Sequence, residues 1–332
     1  MSKESPHYQS GSENQVTELV NTSISFIIPH MGREQMLIDT LQSICEQDYD
    51  LTKIEVIVVT KNDQLSDAVT SIGQLKLIVE HASQALTISH QRNMGAGIAK
   101  GNYFAFLDAD VHLSPNWIHA MLGILEQNTE IKLVSAVQEN SQNAPPLEQL
   151  RTALSNAAID CEVEFLPGRN LLLHADTFEK SGGFPEHLMT CEDYVFTQSV
   201  SKLGGLYYSS ASRYIHLGED KAFWPMAKKE VWRGQSNIAS LRGRKIPLSE
   251  WPSFIAPPAF TFGMLFSLIA FFMGTNQLAV LFLLGACTII ILYSLRLRRI
   301  SKGKPGLLTI GIFYALYFPA RTWGTIKGIH TH

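Results

Sequence analysis

Short, largely apolar runs recur over the first half of the chain, and their length predicts buried strands. They lie at residues 24–29, 54–59, 75–79 and 103–107. Between the first two, apolar side chains spaced by three and four residues predict a helix at residues 36–45 with one buried face. Residues 89–99 have a helical pattern that ends before Gly101. Ser114 and Pro115 supply a cap and a first-turn proline for another helix.

The alternation of strands and helices predicts a mainly parallel sheet that is covered by helices on both faces. In such sheets, ligands bind beyond the carboxyl ends of the strands. Asp108 and Asp110 directly follow the apolar run at residues 103–107. The first candidate site therefore lies at this edge of the sheet.

The patterns after residue 139 are weaker. Residues 140–150 contain two adjacent prolines and predict a mobile loop. Residues 165–173 predict a turn that leads into a strand, and residues 181–184 predict a glycine turn. Glu192 begins a predicted helix that ends near Leu203. No internal repeat or low-complexity segment is visible.

A long apolar stretch distinguishes the C-terminal part of the chain. The 45 residues from 251 to 295 contain no Asp, Glu, Lys or Arg. Because about 20 apolar residues span a bilayer, we expect transmembrane helices at about 254–273 and 277–295, joined by a polar turn. A helical hairpin buried in a soluble core is the alternative, and it is disfavoured because neither stretch has a polar face.

Basic residues follow the second predicted span. They are Arg296, Arg298, Arg299, Lys302 and Lys304. By the positive-inside rule this cluster is cytoplasmic, and two crossings return the chain to the side from which it starts. The next apolar run, at residues 306–319, is shorter. A short third span and a helix that lies in the membrane interface both remain open for it.

Charge is divided unevenly along the chain. Residues 1–250 carry 20 basic and 30 acidic side chains, whereas residues 251–332 carry seven basic and no acidic ones. This division excludes a uniformly soluble globule and a disordered chain. It also argues against a nucleic-acid-binding protein, because the larger part is acidic.

The N-terminus and the cysteines indicate the compartment. Residues 1–21 are polar and lack the apolar core of a signal peptide. We therefore expect a disordered tail, followed by a cytosolic domain at residues 22–220. The four cysteines show neither CxxC pairing nor the spacing of metal ligands, which favours reduced, buried thiols over disulfides.

A basic segment at residues 221–250 separates this domain from the membrane region at residues 251–332. It combines seven Lys and Arg residues with Trp224 and Trp232. Cations and tryptophan beside a span favour an amphipathic helix on anionic lipid. A solvated basic face on an ordinary helix is an alternative. In a third interpretation, Arg233 faces the active site and binds phosphate.

Two pairs of carboxylates are candidates for catalysis. Asp108 and Asp110 stand two residues apart just past a buried strand, where they can share a divalent cation whose shell phosphate oxygens complete. A helix-capping turn is the alternative for this pair. Glu192 and Asp193 stand at a predicted helix start, where they either stabilise the helix dipole or provide a general base.

Two further features are weaker candidates. The glycines of residues 91–97 do not match GxGxxG and follow no strand, which argues against a dinucleotide site. Arg92 and Asn93 can still contact a nucleotide from the start of that helix. A lone histidine such as His216 is usually structural, and a metal or diphosphate contact is the alternative for it.

Four segments together resemble the family-2 glycosyltransferases with the GT-A fold. They are ISFIIPH at 24–30, QRNMGAGIAKGNYFAFLDADVHLSPNWI at 91–118, GRNLLLHADTFEKSGGFPE at 168–186 and CEDY at 191–194. The resemblance covers roughly residues 22–220. It implies an α/β fold with a Rossmann-like mixed sheet, followed here by C-terminal transmembrane helices.

The resemblance also implies roles for individual residues. Asp108 and Asp110 would form the metal-binding D-x-D motif for Mn²⁺ or Mg²⁺. His216 is added to them as a metal candidate because a metal contact is the alternative to its structural role. Asp193 would be the catalytic base, with Glu192 beside it. The residues expected to contact the nucleotide or the donor sugar are Pro29, Arg33, Asp63, Arg92, Asn93, Asp108 and Asn170.

Two departures from the family pattern bear on the substrate. Residues 60–63 are TKND where the family often has DDGS, so that Asp63 or Asn62 would have to replace the aspartate that contacts the base. A Gln-x-x-Arg-Trp motif, which would favour a processive polymerase, is not visible. The identity of the base and a processive activity therefore do not follow from the resemblance.

The resemblance implies an inverting, metal-dependent transferase at the cytoplasmic face of the inner membrane. Its substrates would be a nucleotide-diphospho-sugar donor and a hydroxyl of a lipid-linked saccharide acceptor, and its partners membrane lipid and other glycan-assembly enzymes. One alternative is a polyprenyl-phosphate sugar synthase, whose phosphate acceptor needs no base. Another is a non-catalytic, transferase-like subunit that binds a partner enzyme.

Overall fold

The structure is a computed structural model, and it describes residues 23–73, 75–241 and 248–329. Nine strands of these residues form one sheet. They are β1 (Ile24–His30), β2 (Ile54–Thr60), β3 (Lys76–His81), β4 (Tyr103–Leu107), β5 (Val111–Leu113), β6 (Ile131–Glu139), β7 (Cys161–Glu162), β8 (Asn170–His174) and β9 (Gly205–His216). Their order across the sheet is β3-β2-β1-β4-β8-β6-β9-β5, and β7 pairs with β9 beside this path.

Helices connect the strands and form the C-terminal part. They are α1 (Glu34–Cys45), α2 (Asp67–Thr70), α3 (Ile88–Ile98), α4 (Trp117–Gln127), α5 (Pro146–Ser155), α6 (Ala175–Ser181), α7 (Glu192–Val200), α8 (Phe223–Gly234), α9 (Trp251–Phe272), α10 (Asn276–Ile300) and α11 (Leu307–Ile329). The predicted tail at residues 1–21 and residues 242–247 of the predicted basic segment lie outside the described residues.

The sheet is mixed. β1 pairs in parallel with β2 and β4, and β2 with β3, as the alternation of elements predicts. β8 runs antiparallel between β4 and β6, whereas β6 and β9 are parallel. The carboxyl ends of β1, β2, β4 and β9 therefore meet at one edge, together with the amino end of β8. The predicted mixed α/β class is confirmed.

Two apolar cores cover the two faces of this sheet. Phe26 and Ile28 of β1 belong to the core that includes α1 and α4. Ile27, between them, belongs to the core on the opposite face, which includes Phe106 and Phe196. Successive side chains of a strand point to opposite faces, so β1 is buried on both sides, as its continuous apolar run predicts. The rigid centre of the sheet fixes the loops at its edge.

Three local predictions need correction. Residues 140–150 are not a loop throughout, because α5 begins at Pro146, where a first-turn proline is compatible with a helix. The helix predicted from Ser114 begins at Trp117, and the short strand β5 precedes it. The four cysteines are free, as expected, but Cys287 is exposed.

Helices α9 and α10 coincide with the two predicted spans. They contain 22 and 25 residues with mean hydropathies of 1.8 and 2.6, which is long and apolar enough to cross a membrane. Only 22% and 17% of their most apolar windows are buried inside the protein. This exposure disfavours the alternative of a hairpin in a soluble core.

Helix α11 is longer than the predicted run at residues 306–319 and ends only at Ile329. Its C-terminal half packs closely on α8, where an added Cβ at Gly324 or Gly328 would collide with the backbone of α8 or of Gln235. Arg321 of α11 pairs with Glu230 of α8 at 2.6 Å. The end of this helix is therefore attached to the basic segment.

Candidate functional site

The candidate site lies at the sheet edge where the carboxyl ends of β1, β4 and β9 meet. Asp108 and Asp110 occupy the turn between β4 and β5, and His216 ends β9. Val111 of β5 pairs with His216, which brings the aspartate turn beside the end of β9. Residues that lie 106 positions apart in the sequence thus become neighbours.

Asp110 and His216 face each other. Nε2 of His216 lies 3.3 Å from Oδ1 of Asp110, and Nη2 of Arg33 donates to Oδ2 at 3.1 Å. Burial acts to raise the pKa of Asp110, but the hydrogen bond to His216 and the charges of His216 and Arg33 outweigh it and lower this pKa. Asp110 is therefore an anionic group with an imidazole and a guanidinium beside it.

His216 has a second set of partners behind the ring. Its Nδ1 lies 3.1 Å from Oε2 of Glu219 and 3.0 Å from Nη1 of Arg169. Burial and Arg169 act to lower the pKa of His216, but the hydrogen bonds to Asp110 and Glu219 outweigh them and raise it. Arg169 and Glu219 were not among the predicted site residues.

Gly218 makes room for Asp110. A Cβ at this position would lie closer than 3.0 Å to Oδ2 of Asp110 and 2.9 Å from Nη1 of Arg33. Real Cβ atoms essentially never come closer than 3.0 Å to another heavy atom. The carboxylate of Asp110 thus occupies space that any larger residue at position 218 would fill.

Arg92 joins the two carboxylate pairs. Its side chain is only 2% exposed, and it donates at 2.9 Å both to Oδ1 of Asp108 and to Oε1 of Glu192. The guanidinium also lies 4.9 Å from the ring centroid of Phe184. Burial and the neighbouring Asp193 raise the pKa of Glu192 to about 7, against the opposing effect of Arg92.

Asp193 is held by two backbone amides. Its Oδ2 accepts from the N–H of Gly168 at 3.2 Å, and its Oδ1 accepts from the N–H of Tyr194 at 2.8 Å. It lies in the first turn of α7, behind Cys191, which has a left-handed φ of 64°. The free N–H groups of a helix start stabilise a carboxylate there. Each oxygen keeps a further lone pair that can accept a proton.

The structure separates the predicted metal ligands. Asp108 is bound by Arg92, whereas Asp110 and His216 meet. Within the described ranges, no group of three His, Cys, Asp or Glu side chains is arranged to hold a metal ion. Asp110 and His216 fit a cation such as Mn²⁺ chemically, since one carboxylate oxygen and one imidazole nitrogen converge and diphosphate oxygens commonly complete the shell.

Four predicted nucleotide contacts lie in different surroundings. The side-chain amide of Asn93 donates to the carbonyl oxygen of Phe184 and accepts from its backbone N–H, both at 2.9 Å. Asn170 is buried, and its Oδ1 accepts from Trp117 at 3.0 Å. Pro29 is buried within β1, and Asp63 is exposed in the loop after β2. Asn93 and Asn170 thus support the loops around the site.

The positions of Arg169, Gly218 and Glu219 along the chain could have identified them as candidate site residues. Arg169 stands between Gly168 and the predicted strand β8, at the same sheet edge as Asp108. Gly218 and Glu219 stand two and three residues after His216, just beyond the end of β9. A search of every loop at the carboxyl edge would have included them.

Residues 25–181 match a family model described as Glycosyl transferase family 2. An uncharacterized glycosyltransferase of Haemophilus influenzae is 27% identical over 202 residues, which cover 55% of this chain and 61% of that protein. The poly(ribitol-phosphate) beta-N-acetylglucosaminyltransferase TarS of Staphylococcus aureus is 26% identical over 215 residues, which cover 62% of this chain and 36% of TarS. The matches thus span less than two thirds of either relative.

A solved structure extends the similarity beyond these segments. Mannosyltransferase PcManGT from Pyrobaculum calidifontis, in complex with GDP-Man and Mn²⁺, has a TM-score of 0.59 at 17% identity. The similarity covers 93% of this chain and 87% of that one. At this identity it shows the fold, and the predicted GT-A fold is confirmed.

Proposed function

We propose that the chain, whose residues 25–181 match the model described as Glycosyl transferase family 2, is an inverting, metal-dependent glycosyltransferase. It transfers a sugar from a nucleotide-diphospho-sugar to a hydroxyl group of a lipid-linked glycan. The observation that supports this proposal is the pairing of Asp110 with His216 at the sheet edge, together with the contact of Asp193 with the backbone of Gly168.

The cation would be held by Asp110 and His216, whose oxygen and nitrogen atoms suit Mn²⁺ or Mg²⁺. When bound, it supplies positive charge that stabilises the nucleotide diphosphate as a leaving group. Arg33 adds a guanidinium beside Asp110, and 61% of its side chain is exposed. It can therefore reach the diphosphate from the solvent side of the site.

Asp193 acts as the general base. Two backbone amides fix its carboxylate, so that a free lone pair accepts the proton of the acceptor hydroxyl. The acceptor oxygen forms a bond to the anomeric carbon as the bond from that carbon to the diphosphate oxygen breaks. The electron pair of the broken bond leaves with the nucleotide diphosphate. A single displacement of this kind inverts the anomeric configuration.

Arg92 sets the charge balance between these groups. It is buried and binds Asp108 on one side and Glu192 on the other. Glu192 adjoins Asp193 in the chain, so that Arg92 ties the start of α7 to the aspartate turn. Without the guanidinium of Arg92, the four carboxylates of the two pairs would repel one another around the site.

A membrane location supports a lipid-linked acceptor. Two apolar helices, α9 and α10, follow the catalytic domain and are mostly exposed. Trp224 and Trp232 of α8 are 66% and 50% exposed, which suits a helix at a lipid surface. In our proposal, α9 and α10 cross the inner membrane and hold the site near the cytoplasmic headgroups, where the lipid-linked glycan is also located.

The proposal is tested with the full chain in detergent. Transfer of radiolabelled sugar from UDP-, GDP- and dTDP-sugars to a bacterial lipid extract is measured for wild type and Asp193→Asn. A matched control is Asp176→Asn, because Asp176 is also a first-turn carboxylate but is 65% exposed on α6. NMR spectroscopy of the product gives its anomeric configuration.

We expect transfer from one donor, with inversion, and a loss of roughly 10²- to 10⁴-fold in Asp193→Asn. Donor binding stays within about twofold in both variants, since neither removes a diphosphate contact. Unchanged transfer by Asp193→Asn would contradict the base and would favour a lipid phosphate acceptor. Donor binding without transfer to any acceptor would indicate a non-catalytic subunit.

A further inference from the structure

We propose that Glu219 is a positioning residue, which orients His216 and fixes its tautomer so that Nε2 can bind a divalent cation. This inference rests on the cation site of the proposed function. Oε2 of Glu219 lies 3.1 Å from Nδ1 of His216, on the side of the ring that faces away from Asp110. Imidazole ligands generally need such a partner, because the hydrogen bond at one nitrogen sets which nitrogen binds the metal.

Glu219 is fixed in place by its surroundings. Its side chain is only 1% exposed and forms ion pairs with Arg169 at 3.1 Å and with Arg151 at 3.3 Å. Nε2 of Gln138 donates to the same Oε2 at 3.0 Å, and the backbone N–H of Asp220 donates to Oε1 at 3.0 Å. A carboxylate with this many donors cannot turn away from the imidazole.

The hydrogen count around His216 is compatible with a hydrogen on Nδ1. Nη1 of Arg169 carries two hydrogens and lies near three acceptors: Oε1 of Gln138 at 3.2 Å, Oε2 of Glu219 at 3.1 Å and Nδ1 of His216 at 3.0 Å. If it donates to Gln138 and Glu219, Nδ1 is free to carry its own hydrogen and to donate it to Glu219. The lone pair of Nε2 then points toward Asp110.

The opposite tautomer would block the cation. With the hydrogen on Nε2, the ring would donate to Oδ1 of Asp110 and would occupy the side on which the metal must bind. Glu219 makes this form less favourable, because its negative charge then faces the unprotonated Nδ1. It therefore acts on the cation through His216 without touching the cation itself.

The test is Mn²⁺ affinity, measured from the EPR signal of free Mn²⁺ with and without UDP or GDP. For Glu219→Gln we expect an affinity loss of about 10- to 100-fold, the usual effect of removing such a partner. The matched control is Asp220→Asn. Asp220 is equally buried and pairs with Lys229 and Arg233 in the same ion network, whereas Nδ1 of His216 pairs with Glu219. We expect its Mn²⁺ affinity within about twofold of wild type.

A double-mutant cycle separates positioning from general destabilisation. In a His216→Ala background, Glu219→Gln should change Mn²⁺ affinity by less than about twofold. An equal loss in Glu219→Gln and Asp220→Asn, or an undiminished loss in the His216→Ala background, would overturn the positioning role. So would a wild-type affinity in Glu219→Gln.

Two further measurements make the outcome unambiguous. Circular dichroism checks the fold of each variant, and if Glu219→Gln does not fold, Glu219→Asp replaces it. This variant keeps the charge for Arg151 and Arg169 but withdraws the oxygen from Nδ1 by about one bond length, about 1.5 Å, and we again expect weaker Mn²⁺ binding.

Binding of Mn²⁺ that His216→Ala leaves unchanged would overturn the cation site itself, whereas a failure of sugar transfer alone would leave the role of Glu219 intact.

Discussion

Replacing Gly218 by alanine changes the proposed cation site through a single added methyl group. The new Cβ would lie closer than 3.0 Å to Oδ2 of Asp110 and 2.9 Å from Nη1 of Arg33. Gly218 does not have the left-handed backbone conformation that disfavours alanine. The effect of Gly218→Ala is therefore a collision with two side chains, without backbone strain.

The size of this effect follows from the distance that the carboxylate must move. Asp110 has to retreat by about 1 Å to restore ordinary van der Waals contact, which separates it from His216 or from Arg33. A misplacement of this size in an active site costs on the order of 10²-fold in rate. We expect a loss of about 100-fold in kcat/KM and a similar weakening of Mn²⁺ binding.

The assay is release of nucleotide diphosphate over a range of Mn²⁺ concentrations. Gly97→Ala is the matched control, because Gly97 lies in α3 and a Cβ there meets nothing within 4 Å. This control should keep its activity, with stability unchanged or raised by up to about 1 kcal/mol. Activity and Mn²⁺ affinity of Gly218→Ala at the level of wild type would refute the assignment of Asp110 to the cation.

Two further predictions concern Arg92 and its partners. Arg92→Met leaves two carboxylates without their buried cation, and we expect the free energy of unfolding to fall by about 3–5 kcal/mol in urea titrations. Arg213→Met is the control, because it removes an ion pair whose side chains are 60% and 50% exposed. It should lower the free energy of unfolding by less than about 1 kcal/mol. Equal destabilisation by the two variants would contradict the central role of Arg92. The pKa of Glu192 is raised from 4.5 to about 7 in the folded protein. The protonated carboxyl therefore stabilises the fold fully below pH 4.5, and this stabilisation disappears as the pH rises to about 7. Relative to Glu192→Gln, metal-free wild type should lose about 3 kcal/mol of unfolding free energy between pH 4.5 and pH 7. A difference in stability between the two proteins that does not change with pH would contradict the raised pKa.

The strands of the sheet could be predicted from sequence because their signal is local. The run at residues 103–107 is apolar throughout and is followed by Asp108, and β4 has these same bounds. The continuous run alone does not reveal direction. The antiparallel direction of β8 follows from its pairing with β4, in which partners lie 63 to 71 positions apart, and not from its own pattern.

The sequence predicts candidate site residues where one motif carries the chemistry, and it gives no signal where ion pairs join distant segments. Asp110 and Asp193 follow from the motifs around them. By contrast, Glu230 is buried between Arg151, Arg233 and Arg321, which come from three different helices. Local patterns indicate only that Arg233 belongs to a basic segment, and its partners appear once α5, α8 and α11 are packed together.

Ion pairs between distant segments also explain why Arg92 is predicted to contact a nucleotide but is enclosed by the protein. Its position before Gly95 and Gly97 favours a nucleotide contact. In the fold its guanidinium is enclosed by Asp108, Glu192 and Phe184. Its charge is therefore balanced by carboxylates of the protein itself, from segments that lie 16 and 100 residues away.

The most direct test of the account is the cation dependence of nucleotide diphosphate release from a nucleotide-sugar donor. Wild type and Asp110→Asn are compared in detergent, in EDTA and after addition of Mn²⁺ or Mg²⁺. We expect release by wild type only when a divalent cation is present, and a loss of this release in Asp110→Asn at every cation concentration. Equal release by wild type in EDTA, or full cation-dependent release by Asp110→Asn, would contradict it.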